Sequence, residues 1–269
     1  MEELKNKAKQ LLESGAVKVV IGYGKGTGDS RRPIFVRVAE RAADLVVDAA
    51  CTQNLATYLT KAEVRAMGRM AIVALPPTFA TLRGILQLAA EKQLREENIL
   101  ALAILDGSVR ELATFDGIEE TVATLTDAIS DADQKLIDKL TAMSVPDRRA
   151  FWAEELGRCV KCYACRSSCP MCYCERCTMD CNRPQWIPVA SHAIGNLEYH
   201  MVRAMHLAGR CVQCGTCGKA CPVGIPVYLL TFFAEQTVRR QFGQKGGASA
   251  KLDYAMSTFK PDDKETFIR

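Results

Sequence analysis

The 269-residue chain has no apolar run near the ~20 residues that a helix needs to cross a bilayer, so no membrane span is expected. Its first ten residues, MEELKNKAKQ, lack the apolar stretch of a secretory signal, and the expected location is the cytoplasm. Aromatic residues make up only 7%, and nowhere do they interleave with a block of Lys and Arg, so no nucleic-acid partner is expected. Neither charge dominates, with 35 Lys+Arg against 31 Asp+Glu. No Ser–His pair and no paired carboxylates stand out as a bond-making site. Residues 1–150 contain a single cysteine, Cys51. An apolar fraction of 48% excludes disorder as the main state.

What the chain has in excess is cysteine, and almost all of it lies in one place. Twelve of the thirteen cysteines fall between Cys159 and Cys221. A reducing compartment disfavours disulfides, so metal or iron–sulfur ligation is the better reading. The charge divides at the same point. Residues 1–150 carry 20 Lys+Arg against 21 Asp+Glu, and residues 151–269 carry 15 against 10. Four thiolates around a cluster form an anion, which suits a basic surrounding.

The cysteine-rich part contains an internal repeat. GRCVKCYACRSSCP begins at Gly157 and GRCVQCGTCGKACP at Gly209, an offset of 52 residues. Both read C-x-x-C-x-x-C-x-x-x-C-P, the ligand run of two-cluster ferredoxins. Three cysteines two residues apart can wrap one iron–sulfide cube. The fourth lies too far along to join it and reaches the other cube. The expected assignment is therefore crossed: Cys159, Cys162, Cys165 and Cys221 hold one 4Fe–4S cluster, and Cys211, Cys214, Cys217 and Cys169 hold the second. A structural zinc site, which pairs two C-x-x-C knuckles across a gap, fits this packing poorly. Between the runs, MCYCERCTMDC supplies Cys172, Cys174, Cys177 and Cys181. A third 4Fe–4S cluster, a zinc ion, and partial use with a cysteine left free are all open readings there. The three histidines, His192, His200 and His206, show no ligand pairing and are expected in surface or packing roles. Arg158, Lys161 and Arg166 crowd the first run, and Arg210 and Lys219 flank the second.

The first half alternates strand and helix signals. Helix is expected over Glu2–Ser14, strand over Ala16–Gly22, and a short strand over Ile34–Arg37. The apolar run Met70–Leu75 reads as a buried parallel strand, Thr78 as the cap of a helix to about Leu94, and Ile99–Leu105 as the next strand, forming a β-α-β unit. Helices follow over Ile118–Ile129 and Asp131–Met143, with Pro146 as a boundary. In GYGKGTG, Gly22, Gly24, Gly26 and Gly28 alternate. Glycines let backbone N–H groups approach an anion, but the pattern is neither G-x-G-x-x-G nor a Walker loop. A flexible connection and a nucleotide or flavin contact are the two readings. Cys51 is expected to be structural. Helices are also expected over Ser191–Leu207 and along VYLLTFFAEQTVRRQF after Pro226. The resulting organisation is an α/β docking domain with a small parallel sheet (1–145), an α+β two-cluster ferredoxin-like domain with a cysteine-rich insert (146–242), and an extended C-terminal tail (243–269) that could wrap another subunit.

The segments CVKCYACRSSCPMCYCERC, NRPQWIP and RAMHLAGRCVQCGTCGKACPVGIP, together with VKVVIGYGKG, RRPIFV and CTQNLATYL, resemble the iron–sulfur proteins of the deazaflavin-reducing hydrogenase and formate dehydrogenase beta-subunit group. These accompany heterodisulfide-reductase-type subunits in anaerobes. The resemblance covers most of residues 1–235. It implies an electron-transfer subunit of a multisubunit anaerobic oxidoreductase, without a catalytic centre of its own, whose partners are formate dehydrogenase, hydrogenase or heterodisulfide-reductase-type subunits. Some members carry a flavin, so a flavin-containing subunit reducing a soluble acceptor is the alternative; a redox sensor or assembly scaffold is another. The chain departs from the group's pattern at Ala74-Leu75-Pro76-Pro77 and Leu105-Asp106-Gly107, where relatives have cysteines. A cofactor that depends on those cysteines is not implied. Cys181 is additional to the group's usual run and favours a complete third ligand set.

Overall fold

The structure, a computed structural model, describes residues 1–124, 129–179, 185 and 187–251. Five strands in the first half form one sheet: β1 (Val19–Lys25), β2 (Arg31–Val36), β3 (Met70–Ala74), β4 (Ile99–Leu105) and β5 (Ser108–Leu112), in the order β2-β1-β3-β4-β5. The three central strands are parallel, with Val19 opposite Met70 and Met70 opposite Ile99. Both edge strands run antiparallel, so the expected parallel sheet is in fact mixed. The physical reason is connection length. β1–β2 and β4–β5 are joined by tight turns, and only hairpins can close so quickly. Asp106 and Gly107, both at positive φ, make the second turn.

β3 is buried at all five positions, as a strand covered on both faces must be. The helices of this half are α1 (Glu2–Glu13), the single turn α2 (Ala62–Arg65), α3 (Ala80–Ala90) and α4 (Phe115–Ala123). α1 buries Leu4, Ala8 and Leu11, the helical spacing read from the sequence. α3 follows β3 and precedes β4, so the β-α-β order is realised. Its N-cap is Phe79, in the left-handed conformation, rather than Thr78. Every residue from Thr81 to Ala90 is buried, which no two-sided surface helix would show. α4 ends before the expected Ile129, and residues 125–128 lie outside the described residues.

The second half is helical: α5 (Asp131–Ala142), α6 (Val145–Gly157), α7 (Ala164–Ser167), α8 (Ala193–His206), α9 (Thr216–Lys219) and α10 (Tyr228–Phe242). Pro146 sits in the first turn of α6, where its missing N–H costs nothing, and Ser144 caps that helix. Among the described residues no strand follows β5, so the α+β arrangement expected for this half is replaced by helices and loops. None of the described helices is long and apolar enough to cross a membrane.

The halves share a core. Met171 and Leu207 belong to the same buried cluster as the sheet, and Cys169, Cys172, Tyr173 and Cys211 pack on it. Glu91, at the end of α3, accepts from Arg210 Nε at 2.7 Å, Arg210 Nη2 at 2.5 Å and the Tyr173 hydroxyl at 2.6 Å. The expected tail, as far as residue 251, turns back on its own chain: Arg83 donates to the Gly246 carbonyl at 2.8 Å, and Gly247 N–H donates to Gln87 at 2.8 Å. These contacts account for the buried Arg and Gln on α3.

Candidate metal centre

The 52-residue sequence repeat is also a backbone repeat. α7 and α9 sit at equivalent positions, carrying Cys165 and Cys217. Ahead of them, Lys161 and Tyr163 in the first run, and Gln213 and Gly215 in the second, hold positive φ. Three of these four are not glycine, and left-handed backbone in such residues costs on the order of 1–3 kcal/mol each. The turn it makes aims N–H groups at sulfur. Lys161 N–H donates to Cys159 Sγ and Gln213 N–H to Cys211 Sγ, both at 3.4 Å. Ile225 N–H and the Thr216 hydroxyl add bonds to Cys221 and Cys214 Sγ, also at 3.4 Å. Successive N–H groups turned this way form an anion-binding concavity.

Thiols of the two runs lie near one another. Burial chiefly raises the Cys159 thiol, and the charges that raise it further are those of Cys165, Cys162 and Cys221. Burial likewise pushes Cys211 well up, with Cys214, Cys169 and Cys217 adding to it. Cys169, Cys211, Cys214 and Cys217 line one cavity, with Arg203 and Phe232 among the other residues of its wall. Cys162 is exposed, whereas Cys159, Cys165 and Cys217 are buried. Among the described residues no three His, Cys, Asp or Glu side chains converge tightly enough for a single metal ion. A tetrahedral zinc needs four sulfurs ≈ 2.3 Å from one point, while a cubane places each thiolate on a different iron. The donor chemistry, a repeated thiolate run with N–H groups turned toward sulfur, fits iron–sulfur clusters.

The insert is arranged differently. Cys172 is partly buried and hydrogen-bonded to Cys169, which holds the Cys172 thiol below its ordinary range. Cys174 is exposed, and Cys177 packs on a buried cluster that includes Leu156, Ile187 and Tyr199. These three form no single-ion site, and Cys181 lies outside the described residues.

α8 presents a polar face to the thiols. His200 Nε2 lies 3.3 Å from Cys159 Sγ, and the Tyr199 hydroxyl 3.8 Å from Cys165 Sγ. Arg203 Nη2 donates to the Cys165 carbonyl at 3.0 Å. Asn196 Nδ2 donates to the carbonyls of Leu156 and Cys159 at 3.1 and 2.9 Å. Burial pushes His200 down to about 4, helped by the charges of Arg203 and Lys161, so it is neutral at pH 7. Burial opposes the Arg203 charge, but Cys217, Cys169, Cys172 and Cys165 outweigh it and raise the group well above its ordinary range. His192 caps α8 by accepting from Gly195 N–H at 3.3 Å. Sequence reading gave His192 and His200 surface or packing roles and singled out none of Asn196, Tyr199 and Arg203. Their signal was Asn196, Tyr199, His200 and Arg203 recurring at helical spacing, a polar stripe where α8 should bury apolar groups.

The glycine-rich stretch has another explanation. Gly22 and Gly24 lie inside β1, not in a loop. A Cβ on Gly22 would stand 2.4 Å from Leu45 Cδ2, and one on Gly24 2.8 Å from Ile34 Cγ2. Gly26 packs on Ser30, and Gly28 takes positive φ in the hairpin turn. Close packing between β1, β2 and the following segment accounts for the pattern. Cys51 packs on the sheet core, with Val46 and Asp48 as its polar neighbours. The two halves meet beside the second run, where Asn54 N–H donates to the Thr216 hydroxyl at 3.2 Å.

Residues 172–226 match the family described as 4Fe-4S dicluster domain, a segment that takes in the insert and the second run. Over 102 residues the chain is 30% identical to the F420-dependent formate dehydrogenase subunit beta of Methanocaldococcus jannaschii, covering 38% of this chain and 26% of the relative. Over 105 residues it is 31% identical to the F420-dependent formate dehydrogenase 1 subunit beta of Methanococcus maripaludis, covering 39% and 26%. The match thus spans about a quarter of the length of these curated relatives. The chain carries a 4Fe–4S dicluster region and is homologous, over part of its length, to formate dehydrogenase beta subunits.

Proposed function

We propose that the chain is the iron–sulfur electron-transfer component of a formate-dehydrogenase-type oxidoreductase. In this reading Cys159, Cys162, Cys165 and Cys221 hold one 4Fe–4S cluster, and Cys211, Cys214, Cys217 and Cys169 hold a second. What supports it is the backbone conformation the two runs share, with Cys221 near Cys159 and Cys169 lining a cavity with Cys211, Cys214 and Cys217. When bound, the clusters supply one-electron redox chemistry whose potential answers to net charge, sulfur hydrogen bonds and burial. The chain controls all three. Lys161, Gln213 and Ile225 N–H groups and the Thr216 hydroxyl donate to sulfur, α8 and α10 exclude water, and buried cations offset the thiolates. Cys162 puts one corner of the first group at the surface, where a partner subunit can approach. The insert, with Cys172, Cys174, Cys177 and Cys181, is assigned a third 4Fe–4S cluster on its four closely spaced cysteines, with zinc as the alternative that metal analysis separates. The sheet half serves as the docking and supporting layer. The expected partners are the catalytic and electron-accepting subunits of the complex.

Iron and acid-labile sulfide analysis of anaerobically purified protein tests this directly. About twelve irons per chain are expected for three clusters, and about eight would remove the insert from the assignment while leaving the crossed pair. Colourless protein holding zinc and no sulfide would overturn the reading.

A further inference from the structure

The side chain of Arg203 is 2% exposed, the first among the large fully buried side chains of the molecule. An arginine stays charged in any protein setting, and burying that charge is costly unless an anion offsets it. Arg203 Nη2 donates to the Cys165 carbonyl at 3.0 Å, the guanidinium also bonds the Cys172 sulfur, and its Nε has no partner. Among the described residues no carboxylate pairs with it. The negative charge around it is that of sulfur, from Cys165, Cys169, Cys172 and Cys217. The guanidinium contacts the Cys165 backbone of the first thiol group and lines the cavity formed by the four cysteines of the second. A cubane held by four thiolates is an anion and becomes more negative on reduction, so a cation fixed between two such sites favours the reduced form of both.

We propose that Arg203 is a potential-setting residue shared by the two thiol quartets: a buried counter-charge, placed between them by α8, that makes both sites easier to reduce. This rests on the reading that both quartets hold 4Fe–4S clusters. The basic residues near the runs differ from it. Arg158, for example, is nearly half exposed and pairs with Glu155, so solvent screens its charge.

The test is a potentiometric titration of the anaerobically purified full chain, followed by the electron paramagnetic resonance signals of the reduced sites. R203Q should raise the oxidised-to-reduced ratio at fixed potential at least tenfold at both repeated sites, equivalent to 59 mV for a one-electron couple. R203K, which keeps the charge, should stay within about threefold of the parent, and R158Q should do the same. R203Q with either potential unchanged overturns the proposal. If R203Q does not retain iron, R203K decides: parent-like potentials support the charge role, and a tenfold shift assigns the effect to the carbonyl bond and overturns it. Loss of iron from both variants makes Arg203 an assembly residue and also overturns it. A parent protein without iron defeats the electron-transfer reading itself, a separate outcome visible before any variant is made.

Discussion

The fourth cysteine of each run is the residue on which the assignment turns. Cys221 is sequence-adjacent to the second run, yet its charge is felt at Cys159, 62 positions earlier. Cys169 closes the first run and lines the cavity of Cys211, Cys214 and Cys217. The C221S variant should therefore lose the same resonance signal as C159S, while C169S should lose the signal removed by C214S; each should cost about four irons per chain. An uncrossed pattern of losses would show that each run closes on its own cluster. The crossed assignment is an expectation of C-x-x-C-x-x-C-x-x-x-C-P, whose last ligand lies too far along to join the first three. The roles of Lys161, Tyr163 and Gln213 were not legible in the sequence. Nothing in their side chains announces a left-handed backbone, which is imposed by the demand that N–H groups face sulfur.

Among the elements, α3 shows most plainly how packing overrides local preference. Gly84 lies in the middle of it, where alanine is the better helix former by about 1 kcal/mol. A Cβ at Gly84 would stand 2.6 Å from the Ala56 Cβ, inside a fully buried contact. G84A should therefore destabilise the protein by about 1–3 kcal/mol through overpacking rather than stabilise it, read as a fall in the thermal midpoint at fixed scan rate. A midpoint that rises would mean that the contact relaxes freely. β1 records the same lesson for sequence reading. Its apolar run predicted a strand ending at Gly22, but the strand continues to Lys25 because the glycines sit against Leu45 and Ile34. β5 escaped notice since SVREL is mostly exposed and carries no buried alternation. α8 was placed within two residues at each end by its apolar spacing, whereas the polar stripe it turns to the thiols had no meaning until the thiols were in place.

At the scale of the molecule, the sheet half and the cysteine half behave as one body. Sequence composition suggested a seam near residue 145, because cysteine content and charge both change there. Chemistry and packing do not follow the same seam. Glu91, whose side chain is 4% exposed, binds Arg210 from the second run and Tyr173 from the insert. Removing one member of so enclosed a pair leaves the other without its counter-charge, so E91A should cost about 3 kcal/mol. It should lower the thermal midpoint of the iron-loaded protein and release iron at a lower temperature than the parent. If E91A melts like the parent, the contact between the halves is incidental. The face carrying Met171 and Leu207 explains why neither half is expected to fold cleanly by itself: each would leave apolar surface that the other now covers.

Asn54 gives this unity a further consequence. Its side chain accepts from Ala56 N–H and donates to the Ala80 carbonyl, while its own N–H reaches Thr216, whose hydroxyl donates to Cys214 Sγ. A change of charge on that sulfur is thus three bonded contacts from the first turn of α3. With a cluster at the second site, its reduction should change amide hydrogen exchange at the start of α3, and exchange identical in the oxidised and reduced protein would show that the chain of bonds carries no link.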